Sequence, residues 1–168
     1  MISFLLKAIP TAEGAIQIAM ENMPTTIAWS KSLVIGNGRI GKVLSKKLLF
    51  LGSKVTVSAR KRSDFADVFS NNIESVDFCE IQEFDYDVIF NTVPKCVLTK
   101  EILMKIPDDT LIIDLASSPG GVDFECAEVR SKKVIWALSL PGKVAPKTAS
   151  KFLFSAIIDI LSEVEVIK

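Results

Sequence analysis

The sequence predicts a doubly wound α/β fold: a six-stranded parallel sheet in the order 3-2-1-4-5-6, with helices on both faces. Three observations lead there. Short apolar runs alternate with stretches of helical periodicity along the whole chain. Apolar residues make up 49% of the sequence, as a sheet buried on both faces requires. The run Lys31-Ser-Leu-Val-Ile-Gly-Asn-Gly-Arg-Ile-Gly-Lys42 ends in Gly36, Gly38 and Gly41 and passes at once into a helical pattern. A length of 168 residues suits one such domain, residues 1–168, with a full core.

Taken in order, residues 11–23 predict a helix, with Ala12, Ile16, Ala19, Met20 and Met23 at helical spacing and Pro24 as its stop. Leu33-Val-Ile35 is the first strand. The helix after it starts near Arg39, with the stripe Ile40, Val43, Leu44, Leu48 and Leu51, and Gly52 where a C-terminal glycine belongs. The second strand is Lys54–Ser58, completing a right-handed βαβ unit. A helix around Phe65–Phe69 leads to a weak third strand near Val76–Cys79. Asp87–Asn91, Leu111–Leu115 and Lys133–Ala137 are strands four to six, separated by helices near Lys100–Lys105 and Phe124–Ser131. A last helix over 146–162 has a broad apolar stripe of Phe152, Leu153, Ala156, Ile157, Ile160 and Leu161.

Composition excludes several classes. Twenty basic and 20 acidic residues give zero net charge, so no nucleic-acid surface is expected. No apolar run approaches the roughly 20 residues of a membrane span, and Ile2-Ser-Phe-Leu-Leu is too short for a signal core. The expectation is a soluble, cytoplasmic protein. Cys79, Cys96 and Cys126 lack metal-ligand spacing and read as buried thiols. Histidine is absent, which removes the commonest acid/base side chain.

The glycine turn carries the first functional signal. Glycine at such a turn lets a phosphate approach the backbone, and the helix N-terminus beyond it favours an anion. In the strand–turn–helix context, Gly36, Asn37, Gly38, Arg39, Ile40 and Gly41 read as the diphosphate cradle of a dinucleotide site. NAD-preferring sheets place an acidic residue about 20 positions beyond the first glycine. Here Ser58, Arg60, Lys61, Arg62 and Ser63 stand in that region, and cationic multi-donor groups suit a 2′-phosphate. The expected cofactor is therefore NADP.

Three further segments reach the carboxyl edge of the predicted sheet, where ligands of such sheets bind. Asn91-Thr92-Val93-Pro94 could lie along the nicotinamide ribose, and Asp114–Asp123 offers Ala116, Ser117 and paired glycines. The third, Ser139–Thr148, brings Lys143 and Lys147, candidates to hold a dicarboxylate or polarise a carbonyl or imine. Asp114 reads as a structural acceptor beneath its loop, and Glu13 as a carboxylate dressing the start of the first helix.

Six segments in order then show a resemblance. Ile9–Gln17, Val34–Gly41, Val57–Arg60, Asn91–Pro94, Ile113–Phe124 and Leu140–Ala149 resemble the dinucleotide-binding part of the dipicolinate synthase family of spore-forming bacteria. Pro119-Gly-Gly121 and Leu140-Pro-Gly-Lys-Val-Ala-Pro-Lys-Thr-Ala149 are its most specific parts. The resemblance implies a Rossmann fold and NADP-linked oxidation of dihydrodipicolinate in sporulation. It also implies a flavoprotein-like second subunit. A homo-oligomer is expected from the apolar faces of the terminal helices. The family has an additional N-terminal domain, so residues 10–24 read as an interdomain-type helix, 146–162 as a bridging helix, and the chain as truncated or a fragment. Two alternatives stand beside this: a non-catalytic NADP-binding or subunit-interaction module, and a shikimate-dehydrogenase-like fragment.

Overall fold

The computed structural model describes residues 8–59, 68, 71 and 73–163. The first helix, α1 (Ala8–Asn22), begins before Thr11 because Pro10 is tolerated in a first turn, where amides lack intrahelical partners. Then follow β1 (Lys31–Ile35), α2 (Arg39–Phe50), β2 (Lys54–Ser58) and β3 (Glu74–Val76). A 3-10 turn at Phe78–Glu80 precedes β4 (Val88–Asn91), α3 (Lys100–Leu103), β5 (Leu111–Asp114), α4 (Phe124–Val129) and β6 (Val134–Trp136). The described chain closes with α5 (Leu140–Val144) and α6 (Pro146–Glu163).

Among the described residues the sheet runs β3-β2-β1-β4-β5-β6, and every pairing is parallel. This is the Rossmann-like order expected from the alternation of elements. Alternate residues along a strand face opposite sides. Val34 accordingly joins Leu44, Leu48 and Ala12 in one core, while Leu33 and Ile35 join Phe84, Leu98 and Leu103 in the other. Each of the larger side chains among them contributes about 1.5–3 kcal/mol on full burial.

Several expectations change. The third strand ends at Val76, because the Asp77 carboxylate accepts from the Cys79 amide at 3.0 Å and turns the chain into a 3-10 helix. The helix expected around Phe65–Phe69 lies, apart from Val68, outside the described residues. Residues 140–144, over which no helix is expected, form α5, which Gly14 of α1 meets closely: a Cβ there would stand 3.1 Å from Val144 and 3.2 Å from Leu140. Met20 is 54% exposed rather than in the core. Cys79 and Cys96 are exposed and Cys126 half-buried, so the buried-thiol reading fails for all three. Glu13 lies in the second turn of α1, not its start, and pairs with Lys47 of α2 at 2.9 Å. In α6 only one position of the expected stripe, Ala156, is buried, and Leu153, Ile157 and Ile160 face outward with Phe154. No helix among the described residues is long and apolar enough to cross a membrane.

Candidate dinucleotide-binding site

The strand order reverses between β1 and β4, which are paired but continue to opposite sides of the sheet. Loops leaving two such strands diverge and leave a crevice above the carboxyl edge. The glycine turn sits there. Gly36 has φ +98°, and its amide donates to the Ser58 carbonyl at 2.8 Å. A Cβ on Gly36 would lie 2.6 Å from Thr92 Oγ1 and 2.9 Å from Val93. The Thr92 hydroxyl donates to the Ile35 carbonyl at 2.9 Å, and its amide to the same oxygen at 3.0 Å. A Cβ on Gly41 would lie 2.0 Å from the Gly36 carbonyl oxygen, so the first turn of α2 rests directly on the bend.

Gly38 differs. It is the N-cap of α2, with extended backbone and no side chain to cap the helix, and nothing lies within 4 Å of where its Cβ would be. The open side of the turn is thus backbone alone, at the positive end of the helix dipole. These are the features a diphosphate requires, so the residues present fit a dinucleotide. Asn37 is buried in the turn, Arg39 is exposed, and Ile40 packs against the core.

From the turn a cleft of about 820 Å³ extends over the ends of β1, β2, β3 and β4. Of the expected residues, Gly36, Asn37, Ser58 and Val93 line it. Arg60, Lys61, Arg62 and Ser63 lie outside the described residues. Sequence reasoning missed Asp77, Phe78, Cys79, Lys95, Cys96 and Val97, which with Ile35 and Ala59 complete the lining. The rule that ligands sit beyond the carboxyl ends of strands applied equally to the residues after Val76 and could have found them. Desolvation at the cleft, reinforced by the Asp123 and Asp114 carboxylates, raises the Cys96 thiol above its ordinary value.

On the other side of β4, Asn91 and Asp114 are register neighbours and both fully buried. Asp114 Oδ1 accepts from Asn91 Nδ2 at 2.8 Å and from the Ala116 amide at 3.1 Å, and Oδ2 from the Gly121 amide at 2.7 Å. This matches its reading as a structural acceptor. Asn91 in turn accepts from the Val93 amide at 3.1 Å, fixing the Thr92–Pro94 segment above β4. Pro94 and Ser117 are exposed. Ala116 is buried, with its amide donating to Asp114 and its carbonyl accepting from Trp136 Nε1 at 2.9 Å.

The two lysines are not brought to this cleft. Lys143 borders a separate hollow of about 330 Å³ with Gln17, Glu21 and Trp136, none of which lines the cleft. Lys147 is exposed in the first turn of α6.

No family model matches the chain. Over 163 residues, 96% of its length, the chain is 36% identical to a dipicolinate synthase polypeptide of Bacillus subtilis (strain 168). It is a homologue of dipicolinate synthase. The crystal structure of the dipicolinate synthase polypeptide from Bacillus halodurans superposes with a TM-score of 0.90 at 38% identity, over 95% of this chain and 55% of that one. The crystal structure of the Bacillus subtilis protein gives a TM-score of 0.93 at 36% identity, over 98% and 56%. The chain therefore spans about half the length of these relatives, 55% of the curated one. What it shares with the dipicolinate synthases is a Rossmann-like α/β domain.

Proposed function

We propose that this chain holds NADP(H) for an oxidoreductase that converts dihydrodipicolinate to dipicolinate in sporulating cells. The observation that supports this most is the turn at Gly36–Gly41, where Thr92 and Gly41 close the inner side and Gly38 leaves the outer side open. Homology to dipicolinate synthase supports the choice of reaction. The preference for NADP rests on Arg60, Lys61 and Arg62, which follow β2 in sequence where an NAD site would carry a carboxylate. When bound, the dinucleotide would accept a hydride from the substrate ring, with the accompanying proton passing to a base.

The chain's own residues have three roles in this scheme. The amides of the glycine turn and α2 hold the diphosphate, and Arg60, Lys61 and Arg62, which follow β2 in sequence, hold the 2′-phosphate. The Asn91–Asp114 pair fixes the loops above β4 and β5, so that nicotinamide and substrate meet a stationary surface. Lys143 and Lys147 are the groups proposed to hold the substrate carboxylates; both are exposed, and Lys143 borders a hollow with Trp136 of β6. Self-association and a flavoprotein-like second subunit complete the assembly. The exposed Leu153, Phe154, Ile157 and Ile160 of α6 support the self-association.

Two measurements test the reading. NADPH titration should give saturable binding tighter than NADH, and equal or tighter NADH binding would refute the NADP assignment. With the complete assembly and enzymatically generated dihydrodipicolinate, NADPH should accumulate. In that assay Lys143→Ala should raise KM about tenfold, a loss of roughly 1.4 kcal/mol. An unchanged KM would remove Lys143 from the substrate site.

A further inference from the structure

Among the described residues lining the cleft, Asp77 is the one carboxylate, and the diphosphate cradle at the glycine turn gives it no task. It stands directly after β3, the outermost strand on its side of the sheet. The Ala59 amide donates to the Val76 carbonyl at 3.2 Å, so the ends of β2 and β3 are stitched together beside it. One carboxylate oxygen is fixed by the Cys79 amide at 3.0 Å, which sets the direction of the group and leaves Oδ2 able to accept. Phe78, held edge-on against the buried Phe84 with ring centroids 6.2 Å apart, lines the same cleft with Val93 and Val97.

This placement can be read against the dimensions of a dinucleotide, an inference that rests on the proposed function. A diphosphate at Gly38 directs the adenosine outward past the end of β2. The sugar is then met near Ser58 and Ala59, and the base lies farther out, between the residues after β3 and those after β4. Its walls there would be apolar, and the polar groups at its rim the Asp77 acceptor and the Lys95 ammonium. Adenine presents an amino donor on its Watson–Crick edge, whereas hypoxanthine presents a carbonyl acceptor at the same position. A carboxylate facing that carbonyl is unpaired unless the base shifts to offer its N1–H instead, which gives up the base's position at a partly desolvated site.

We propose that Asp77 is the residue that selects an adenine base, accepting a hydrogen bond from its exocyclic amine through Oδ2 while the Cys79 amide holds Oδ1. Sites built to hydrogen-bond one ligand group reject the analogue lacking it strongly.

The test compares NADPH with reduced nicotinamide hypoxanthine dinucleotide phosphate, in which the 6-amino group is a carbonyl and the neighbouring N1 carries a proton, by fluorescence titration of the full chain. Wild-type protein should bind the adenine form about ten- to a hundredfold more tightly. Asp77→Asn can turn either its carbonyl or its amide toward the base, and its carbonyl can still cap Cys79, so its ratio should fall to within about threefold. Wild-type protein that binds both dinucleotides equally, or a variant that keeps the wild-type ratio, overturns the role of Asp77 while leaving the dinucleotide site standing. Wild-type protein that binds neither overturns the site itself and the inference with it.

Discussion

Two alanine substitutions, three residues apart, should separate what the glycine turn does for the fold from what it does for the ligand. At Gly38 an added methyl meets nothing within 4 Å, and the backbone there, φ −77° and ψ −168°, is one any residue adopts. Alanine is a poorer N-cap than glycine by about 0.5–1 kcal/mol. Against this, stiffening the unfolded chain contributes about 0.4–1 kcal/mol to stability. The two nearly cancel, so the melting temperature of Gly38→Ala should stay within about 2–4 °C of wild type. Its methyl would occupy the open side of the turn. A diphosphate pushed off the amides loses one or two charge-assisted hydrogen bonds of about 1.5–3 kcal/mol each, so NADPH affinity should fall at least tenfold. At Gly41 the Cβ would lie 2.0 Å from a backbone oxygen, and ordinary contact at 3.4 Å requires a retreat of 3.4 − 2.0 = 1.4 Å by the start of α2. Overpacking of this kind costs about 1–3 kcal/mol or more, which lowers the melting temperature by roughly 2–12 °C in a chain of this size. Thermal melts and NADPH titrations on both variants decide the matter. Unchanged NADPH affinity in Gly38→Ala would refute the placement of the diphosphate, and an unchanged melt in Gly41→Ala would refute the close contact.

Three other outcomes follow from the geometry. Asp114→Asn exchanges an acceptor for a donor opposite the Gly121 or Ala116 amide and should cost about 2–4 kcal/mol, visible as an earlier urea midpoint; a shift under about 0.5 kcal/mol would contradict the network. NADPH should slow alkylation of Cys79 and Cys96, which line the cleft, and the raised Cys96 thiol should react faster only as pH climbs above its ordinary value of 9.0; ligand-independent labelling of both would count against the cleft. Lys132, with a 5% exposed side chain, reaches Asp108 and the Ile106 carbonyl, and this lowers the folded pKa of Asp108. The stabilisation is present above the unfolded carboxylate value of about 3.9 and is lost as pH falls through the lower folded value. Lys132→Met should therefore flatten the acid limb of the stability curve below about pH 4, and an unaltered limb would exclude the pair as its source.

Strand order was legible because most strands announce themselves locally: Lys54–Ser58 follows Gly52 and precedes the basic run Arg60-Lys61-Arg62. The glycine turn and Asp114 were legible for a related reason, since their residue types have few other uses in those places. What escaped depends on contacts between distant segments. Gly142 and two prolines disguised α5, whose helical form goes with its packing on Gly14 of α1. Asp77 carried no signal of its own, because a lone acid after a weak strand is ordinary until β3 sets it beside β1 and β4. The apolar stripe of α6 was read correctly as a stripe, yet periodicity states that a face exists and not what covers it.

The bond from Thr92 to Ile35 gives the glycine turn an unusual dependence on folding order. The turn is encoded within six residues, but its inner side is closed by a hydroxyl 57 positions further along the chain. A βαβ fragment ending at Ser58 would contain every glycine and still lack the closing contact, since β4 has yet to dock against β1. The site is thus completed late, after the loop between β1 and β4 has paid its closure entropy. A dinucleotide that binds there stabilises the half-sheet that assembled around it, not the local loop, and should speed recovery of the native state chiefly by trapping molecules in which β4 is already home.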